Sequence, residues 1–227
     1  MDYIEGGIMI SASYKDLFLN PEYVNQLVKK ILEDGYVSLP EFFEPEMFLK
    51  LQAEVKTFTG RKKNEELEGT LSHKVAYSEE LFKFFSLIYK ERCQIEKIKY
   101  VPISHNRQRA AVTFKDASNG QKTQATKYHF DGCHVNMVMP LYLPDELDET
   151  GGNLIIYKNL RKKYPKIISA PIARILRHFK FMRKLFGGTE IVYKESAMQI
   201  FFGDISLHGV EPITSGARTV MTINNHW

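Results

Sequence analysis

The chain has 227 residues, 44% of them hydrophobic, and a net charge of +4. That is enough apolar material for one domain with a substantial core, and it excludes a disordered or disulfide-stapled chain. Only Cys93 and Cys133 are present, no apolar run is long enough to span a bilayer, and Met1 to Ser13 lacks the basic start and apolar middle of a secretory signal, so a reducing cytoplasm is the expected setting.

The first 96 residues read as mostly helical support. Pro21–Asp34 places apolar residues at spacings of three and four, with Asn20 as its cap and Gly35 as its stop. A short strand is expected at Tyr36–Leu39. Pro45–Phe58 and Ser78–Lys90 read as further helices, and the charged stretch Arg61–Glu68 as a solvated loop. From residue 97 the pattern changes to strands: Lys97–Ile103, Arg109–Phe114, Thr126–His129, Val135–Leu143, Asn153–Tyr157, Met198–Phe202 and Arg218–Asn224. Asp116–Gly120 contains an Asn-Gly pair, a hairpin signal that makes Thr126–His129 the expected return strand. Strands behind a few helices predict a single domain, mainly β: a sandwich or barrel buttressed by N-terminal helices.

Positions 158–188 interrupt the β half. Between Thr150 and Thr189 there is no Asp or Glu, while ten Lys or Arg occur, so this stretch supplies all the excess positive charge. Within it, Pro171–Phe186 has helical spacing, with Ile172, Ile175, Leu176, Phe179, Met182 and Phe186 on one stripe, Ser169 as cap and Gly187-Gly188 as stop.

The residues that carry chemistry are His129, Asp131, His208 and Arg218. His-x-Asp at a strand end points both side chains to one side, and Gly132 permits a bend there. His208 follows the turn at Gly203-Asp204 and supplies a second imidazole. Two neutral imidazoles and a carboxylate suit Fe(II) and leave the opposite coordination positions open. Arg218, ten residues on, can grip a carboxylate in bidentate fashion. If His208 and Arg218 stand on neighbouring antiparallel strands, a displacement of a few residues is on the order of 10 Å, within reach of a five-carbon diacid.

These segments resemble the Fe(II)- and 2-oxoglutarate-dependent dioxygenases of the phytanoyl-CoA and prolyl hydroxylase branch. The matching pieces are ILEDGYVSLPEFFEPEMFLKLQAEV, YHFDGCHVNMVMPL, ETGGNLIIY and FFGDISLHGVEPITSGARTVMTINNHW. The resemblance implies a double-stranded β-helix (jelly roll, cupin-like). It implies Fe(II) held by His129, Asp131 and His208, with 2-oxoglutarate chelating the metal and its distal carboxylate on Arg218. Dioxygen completes the set, and decarboxylation of 2-oxoglutarate to succinate and CO2 accompanies hydroxylation of an unactivated C–H bond.

The chain departs from the family pattern at one point. Many members carry Ser or Thr two residues after the arginine, and here that position is Val220. The missing hydroxyl has four candidate sources: Tyr128, Thr113, Tyr142 and Thr222. The second arginine typical of nucleic-acid demethylases would fall near Asn224 and is absent, so no nucleic-acid partner is expected. Asn136 and Asn153 are candidates for hydrogen bonds behind the metal, and His134 is a rival ligand.

The cationic segment between the ligand-bearing regions suits an anionic substrate or a peripheral contact with membrane. Phosphorylated glycolipids, acyl-CoA and acidic sugars all fit. The gap between Asp131 and His208 and the basic segment are also similar to the bacterial Kdo hydroxylases, which implies Kdo-lipid A as substrate at the inner membrane surface. The alternatives are a natural-product or amino-acid hydroxylase or desaturase, or a non-catalytic jelly roll that binds anionic membrane. Oligomeric state is left open.

Overall fold

In the computed structural model the described residues are 9–121, 123, 126–143, 152–164, 166–178 and 185–226. Helices α1 (Ala12–Lys15) and α2 (Pro21–Asp34) open the chain, followed by β1 (Tyr36–Leu39), α3 (Pro45–Val55), β2 (Arg61–Lys63), α4 (Leu71–Ala76) and α5 (Glu79–Glu96). The β half comprises β3 (Gln108–Asp116), β4 (Thr126–His129), β5 (Cys133–Tyr142), β6 (Leu154–Tyr157), β7 (Thr189–Ile191), β8 (Met198–Phe201), β9 (Leu207–Val210) and β10 (Ala217–His226). Helices α6 (Leu160–Lys163) and α7 (Lys166–His178) lie between β6 and β7.

Local chemistry explains the helix ends. The Asn20 side chain accepts from the backbone N–H of Glu22 and Tyr23, Pro21 fills the first turn, and Gly35 closes α2 at φ 94°. Ser78 caps α5 through the N–H of Leu81. Helix α5 runs to Glu96, one and a half turns beyond the expected Lys90, because Arg92 and Cys93 on its last turns are also buried.

The strands form two antiparallel sheets. One has the order β1-β8-β5-β10-β3-β2, the other β4-β9-β6-β7. On the long central strand β10, residues alternate between two environments. Met221 and Ile223 face the helices in a core with Leu51, Phe84, Phe85, Ile88, Val135, Met137 and Met139. Val220 faces the other way, into a cluster between the sheets with Val138, Leu154, Ile156, Ile191, Tyr193 and Phe201. The helices thus seal one face of the six-stranded sheet, and the four-stranded sheet covers the other: a jelly roll buttressed on one side.

Several expectations are corrected. Arg61–Lys63 is a short edge strand on β3 rather than loop, and its charged side chains suit an edge. Residues 97–103 form no strand. The Asn-Gly turn does not make a hairpin: β4 pairs with β9 in the opposite sheet, not with β3. Helix α7 begins at Lys166, so Ser169 is a buried residue inside it rather than its cap, and Pro171 lies in its interior.

Helix α7 rests on the outer face of the four-stranded sheet. Ile172, Ala173 and Leu176 pack with Leu160, Tyr128, Tyr157 and Leu207. Ile175, expected on that stripe, is partly exposed instead, and Phe179 and Met182 lie outside the described residues. Among the described residues no helix is long and apolar enough to cross a membrane.

Candidate metal centre

The register of β4 against β9 sets His129 directly opposite His208. Both rings project from the inner face of the four-stranded sheet, with centroids 4.5 Å apart. Asp131 enters just beyond β4, its backbone N–H bonded to the carbonyl of Gly203 at 2.9 Å. Asp131 Oδ1 lies 3.2 Å from His129 Nε2, and Oδ2 lies 3.1 Å from His208 Nε2. Adjacent corners of an octahedron with bonds of about 2.1 Å are about 3.0 Å apart, so the spacing fits ligands around one ion. Ligand atoms of all three residues fall within 4.8 Å of one another, the one such gathering of three metal-binding side chains among the described residues.

The supporting contacts aim these atoms. His129 Nδ1 lies 2.7 Å from the carbonyl of Lys127, and His208 Nδ1 lies 3.1 Å from that of Ser206. A carbonyl only accepts, so each Nδ1 carries a hydrogen and each Nε2 is turned toward Asp131 and the space beyond, donating to the carboxylate when it is protonated and offering a lone pair to a metal when it is not. His208 is buried, whereas the His129 side chain is 40% exposed and marks the open side. Burial would raise the Asp131 carboxyl, but hydrogen bonds to His129 and His208 outweigh it and hold the group well below the usual carboxylate range. The site therefore presents an anion and two neutral donors, the set that suits a ferrous ion.

Asn136 is the hub behind Asp131. Its side-chain amide donates to Asp131 Oδ2 and, at 3.1 Å, to Asn224 Oδ1, while its Oδ1 accepts from Gly203 N at 2.9 Å and Cys133 Sγ at 3.2 Å. Asn136 thus makes the hydrogen bond behind the metal expected of it. Gly203 was legible only as a turn residue. Its backbone lies so close that an added Cβ would sit 2.9 Å from Asp131 Oδ2 and closer still to Asn136 Oδ1.

Arg218 is buried at the start of β10, on the same inner face as Val220. It donates to the carbonyl of Gly152 and has its guanidinium carbon 5.6 Å from the centre of the Tyr193 ring. Among the described residues its buried Nε has no hydrogen-bond partner. A buried guanidinium with an unmet donor is suited to a carboxylate. Gly152 must remain glycine, since a Cβ would approach Arg218 Nη1 to 2.8 Å at a φ of 90°. His208 and Arg218 do not stand on neighbouring strands, as expected, but on β9 and β10 of facing sheets. The chain crosses between the sheets after β9, so the apolar cluster of Val138, Leu154, Ile156, Phe201 and Val220 lies between the sheets that carry them.

The four candidate hydroxyls separate. Thr113 pairs directly with Val220, on the same inner face, and is half-buried. Thr222 also faces inward, with Oγ1 bonded to the carbonyl of Ala111 at 3.3 Å. Tyr128 faces the opposite side of β4: it packs beneath α7, and its hydroxyl bonds Glu211 at 3.0 Å. Tyr142 is exposed at the end of β5 with Lys56 over its ring. Alternation explains the first of these corrections, whereas Tyr142, of the same parity as Val138, lies beyond a register shift at the solvent-exposed end of β5. His134 is no rival ligand: it stacks on Tyr89 of α5, on the helix side of the sheet. Asn153 bonds Glu190 across to β7, away from Asp131.

No protein-family model matches the sequence, and no curated protein does. Solved structures do match the fold. The non-heme alpha ketoglutarate dependent epimerase SnoN from nogalamycin biosynthesis aligns with a TM-score of 0.66 at 11% identity, covering 91% of this chain and 82% of that one. A Phytophthora capsici prolyl 4-hydroxylase gives 0.59 at 14% identity over 99% of this chain and 69% of that one. A 2OG-Fe(II) oxygenase family oxidoreductase from Burkholderia pseudomallei gives 0.55 at 10% identity over 89% of each chain. The chain therefore has the jelly-roll fold of the 2-oxoglutarate- and iron-dependent oxygenases, with two histidines and an aspartate gathered on the inner face of its smaller sheet.

Proposed function

We propose that this chain is an Fe(II)- and 2-oxoglutarate-dependent oxygenase that hydroxylates an anionic substrate. The observation that carries the reading is the convergence of His129, Asp131 and His208, with buried Arg218 set on the facing sheet. Bound there, iron with 2-oxoglutarate and O2 would supply oxidation of a C–H bond, with succinate and CO2 as co-products. The chain's own residues do the rest. Three protein ligands leave positions for a chelating keto acid and for O2. Arg218 holds the far carboxylate, and Val138, Leu154, Ile156 and Val220 exclude water from the span between.

The test is direct. Anaerobic protein given Fe(II) and 2-oxoglutarate should develop the visible colour of a chelated keto acid, and succinate release should then rise with the right substrate. Absence of colour would remove the enzymatic reading. Hydroxylation is the expected outcome, although the fold is shared with an epimerase, and product mass separates a gain of oxygen from an isomerisation.

The substrate proposal rests on charge. Arg161 of α6 stacks 4.0 Å over Phe130, the residue between two of the ligands, so a cation stands at the metal's rim. The acid-free segment continues from it into α7. That helix has a second, outward apolar face: Ile167 is 82% exposed, with Ile168 and Ile175 partly so, and the exposed cations Lys163 and Arg174 are close to it in sequence. An outward apolar face rimmed by cations suits the interface of an anionic membrane, at about 1 kcal/mol per basic residue near the surface. We place the protein at the cytoplasmic membrane surface, acting on an anionic glycolipid such as Kdo-lipid A. Vesicles containing phosphatidylglycerol should sediment the protein, and I167E/I168E should abolish this while leaving the coloured complex intact. If phosphatidylglycerol vesicles leave the protein in solution, or the double variant still sediments, the membrane placement is wrong. Succinate release with Kdo-lipid A, against acyl-CoA and free amino acids, tests the substrate.

A further inference from the structure

The register of β10 against β3 pairs Arg218 with Lys115 and Val220 with Thr113. Directly paired residues on antiparallel strands project from the same face. Arg218 points between the sheets, against Gly152 and Tyr193, so Lys115 and Thr113 enter the same space from the neighbouring strand. Lys115 is half-buried there, whereas the next residue, Asp116, is exposed. Like charges directly opposite one another oppose folding. The chain nevertheless places two cations side by side next to the apolar cluster between the sheets.

The second observation is the makeup of the inner face around Val220: Arg218 and Thr222 on its own strand, and Thr113 and Lys115 across from it. We propose that Lys115, helped by Thr113, is the second anchor of the co-substrate's distal carboxylate, making the seat a two-cation clamp with Arg218. The assignment rests on the reading of this space between the sheets as the 2-oxoglutarate site. One carboxylate has two oxygens, so a guanidinium and an ammonium approaching from adjacent strands can both be satisfied by it. Burial, and after it the charge of Arg218, lower the Lys115 ammonium to about 8, so a bound carboxylate between the two cations would favour its charged form. The clamp makes the site selective for a keto acid with a second carboxylate, and Lys115 a specificity-determining residue.

The test uses anaerobic Fe(II)-loaded protein and two ligands read by visible absorbance. 2-Oxoglutarate presents both the chelating end and the distal carboxylate, and 2-oxobutyrate presents only the chelating end. Lys115→Met should weaken 2-oxoglutarate roughly tenfold or more, the effect of losing a charged hydrogen bond, and leave 2-oxobutyrate unchanged. Lys115→Arg should retain most of the wild-type preference. If Lys115→Met shifts neither ligand, or both equally, the clamp is wrong while the oxygenase reading stands. If the wild type gives no colour with either ligand, both fall. Thermal unfolding of each variant separates a lost contact from a lost fold, and the charge-conserving variant tests the clamp should the methionine variant not fold.

Discussion

Replacing Arg92 by methionine should lower the free energy of unfolding by about 3–5 kcal/mol, the usual cost of removing one partner from a buried ion network. Arg92 lies on α5 with a side chain only 3% exposed. Its guanidinium forks onto Asp204, at 2.8 and 3.0 Å, and reaches Glu96 at 2.6 Å and the carbonyl of His134 at 3.2 Å. It also covers the Phe202 ring at 4.4 Å. Methionine approximates the stem but leaves the Asp204 carboxylate buried without its fork. Burial pushes that carboxyl up, yet hydrogen bonds from His134 and Arg92 hold it below its ordinary value of 3.8. A depressed carboxyl adds stability above its ordinary range and loses it as pH falls through the folded value. The gap between wild type and Arg92→Met should therefore be largest near neutral pH and narrow below about pH 4. Urea midpoints across that range measure it. Adding Asp204→Asn to Arg92→Met should recover part of the loss, since no charge is then stranded on the turn. A deficit of less than about 1 kcal/mol at pH 7 would show that the network contributes little.

That network shows why the support of the site was harder to read than the site. His129, Asp131, His208 and Arg218 were legible because metal and carboxylate chemistry restrict residue type and strand-end positions restrict spacing. Asn20, Gly35 and Ser78 were legible as caps because each acts within a few residues of itself. Arg92 and Asp204 act across the fold, and although Asn136 was legible as a bond behind the metal, nothing local marks it as the hub of four hydrogen bonds. The same limit accounts for Lys115, which is an ordinary strand lysine until β10 pairs with β3, and register between distant strands is set by packing. Tyr142 failed as a co-substrate contact because β5 ends there in solvent, beyond a register shift, and Tyr128 failed for a reason related to register. A strand's alternation says that neighbours face opposite ways, but which set faces inward depends on where the other sheet lies. Two expectations failed on topology. The Asn-Gly turn predicts a local hairpin, whereas a jelly roll sends the chain to the opposite sheet, and a later crossing, from β9 to β10, separates His208 from Arg218.

Gly203→Ala should cost the protein its metal while leaving most of its stability. The Gly203 backbone is fixed at both ends of the peptide: its N–H donates to Asn136 Oδ1 at 2.9 Å, and its carbonyl accepts from Asp131 N at 2.9 Å. A methyl group there would meet Asp131 Oδ2 at 2.9 Å and press harder on Asn136 Oδ1. Neither neighbour has room to give. Asn136 is held by Asn224, Cys133 and Gly203 itself, and Asp131 by both imidazoles. The turn beyond Gly203 is tied down in turn by Arg92 on Asp204, and by Arg161, which donates to the Asp204 carbonyl at 2.9 Å. The strain must therefore go into the carboxylate, the one group of the set that metal binding requires in a fixed direction. Loss of a partner behind a ligand weakens metal about 10–100-fold, and displacing the ligand as well should reach at least the upper end of that range. Asn136→Ala removes the hub without adding bulk and should fall within it. Competition with a chelator of known strength measures both, with thermal unfolding as the control. If Gly203→Ala binds Fe(II) as tightly as the wild type, Asp131 is not a ligand whose position this turn sets, and the placement of the metal between the two histidines and that carboxylate would have to be abandoned.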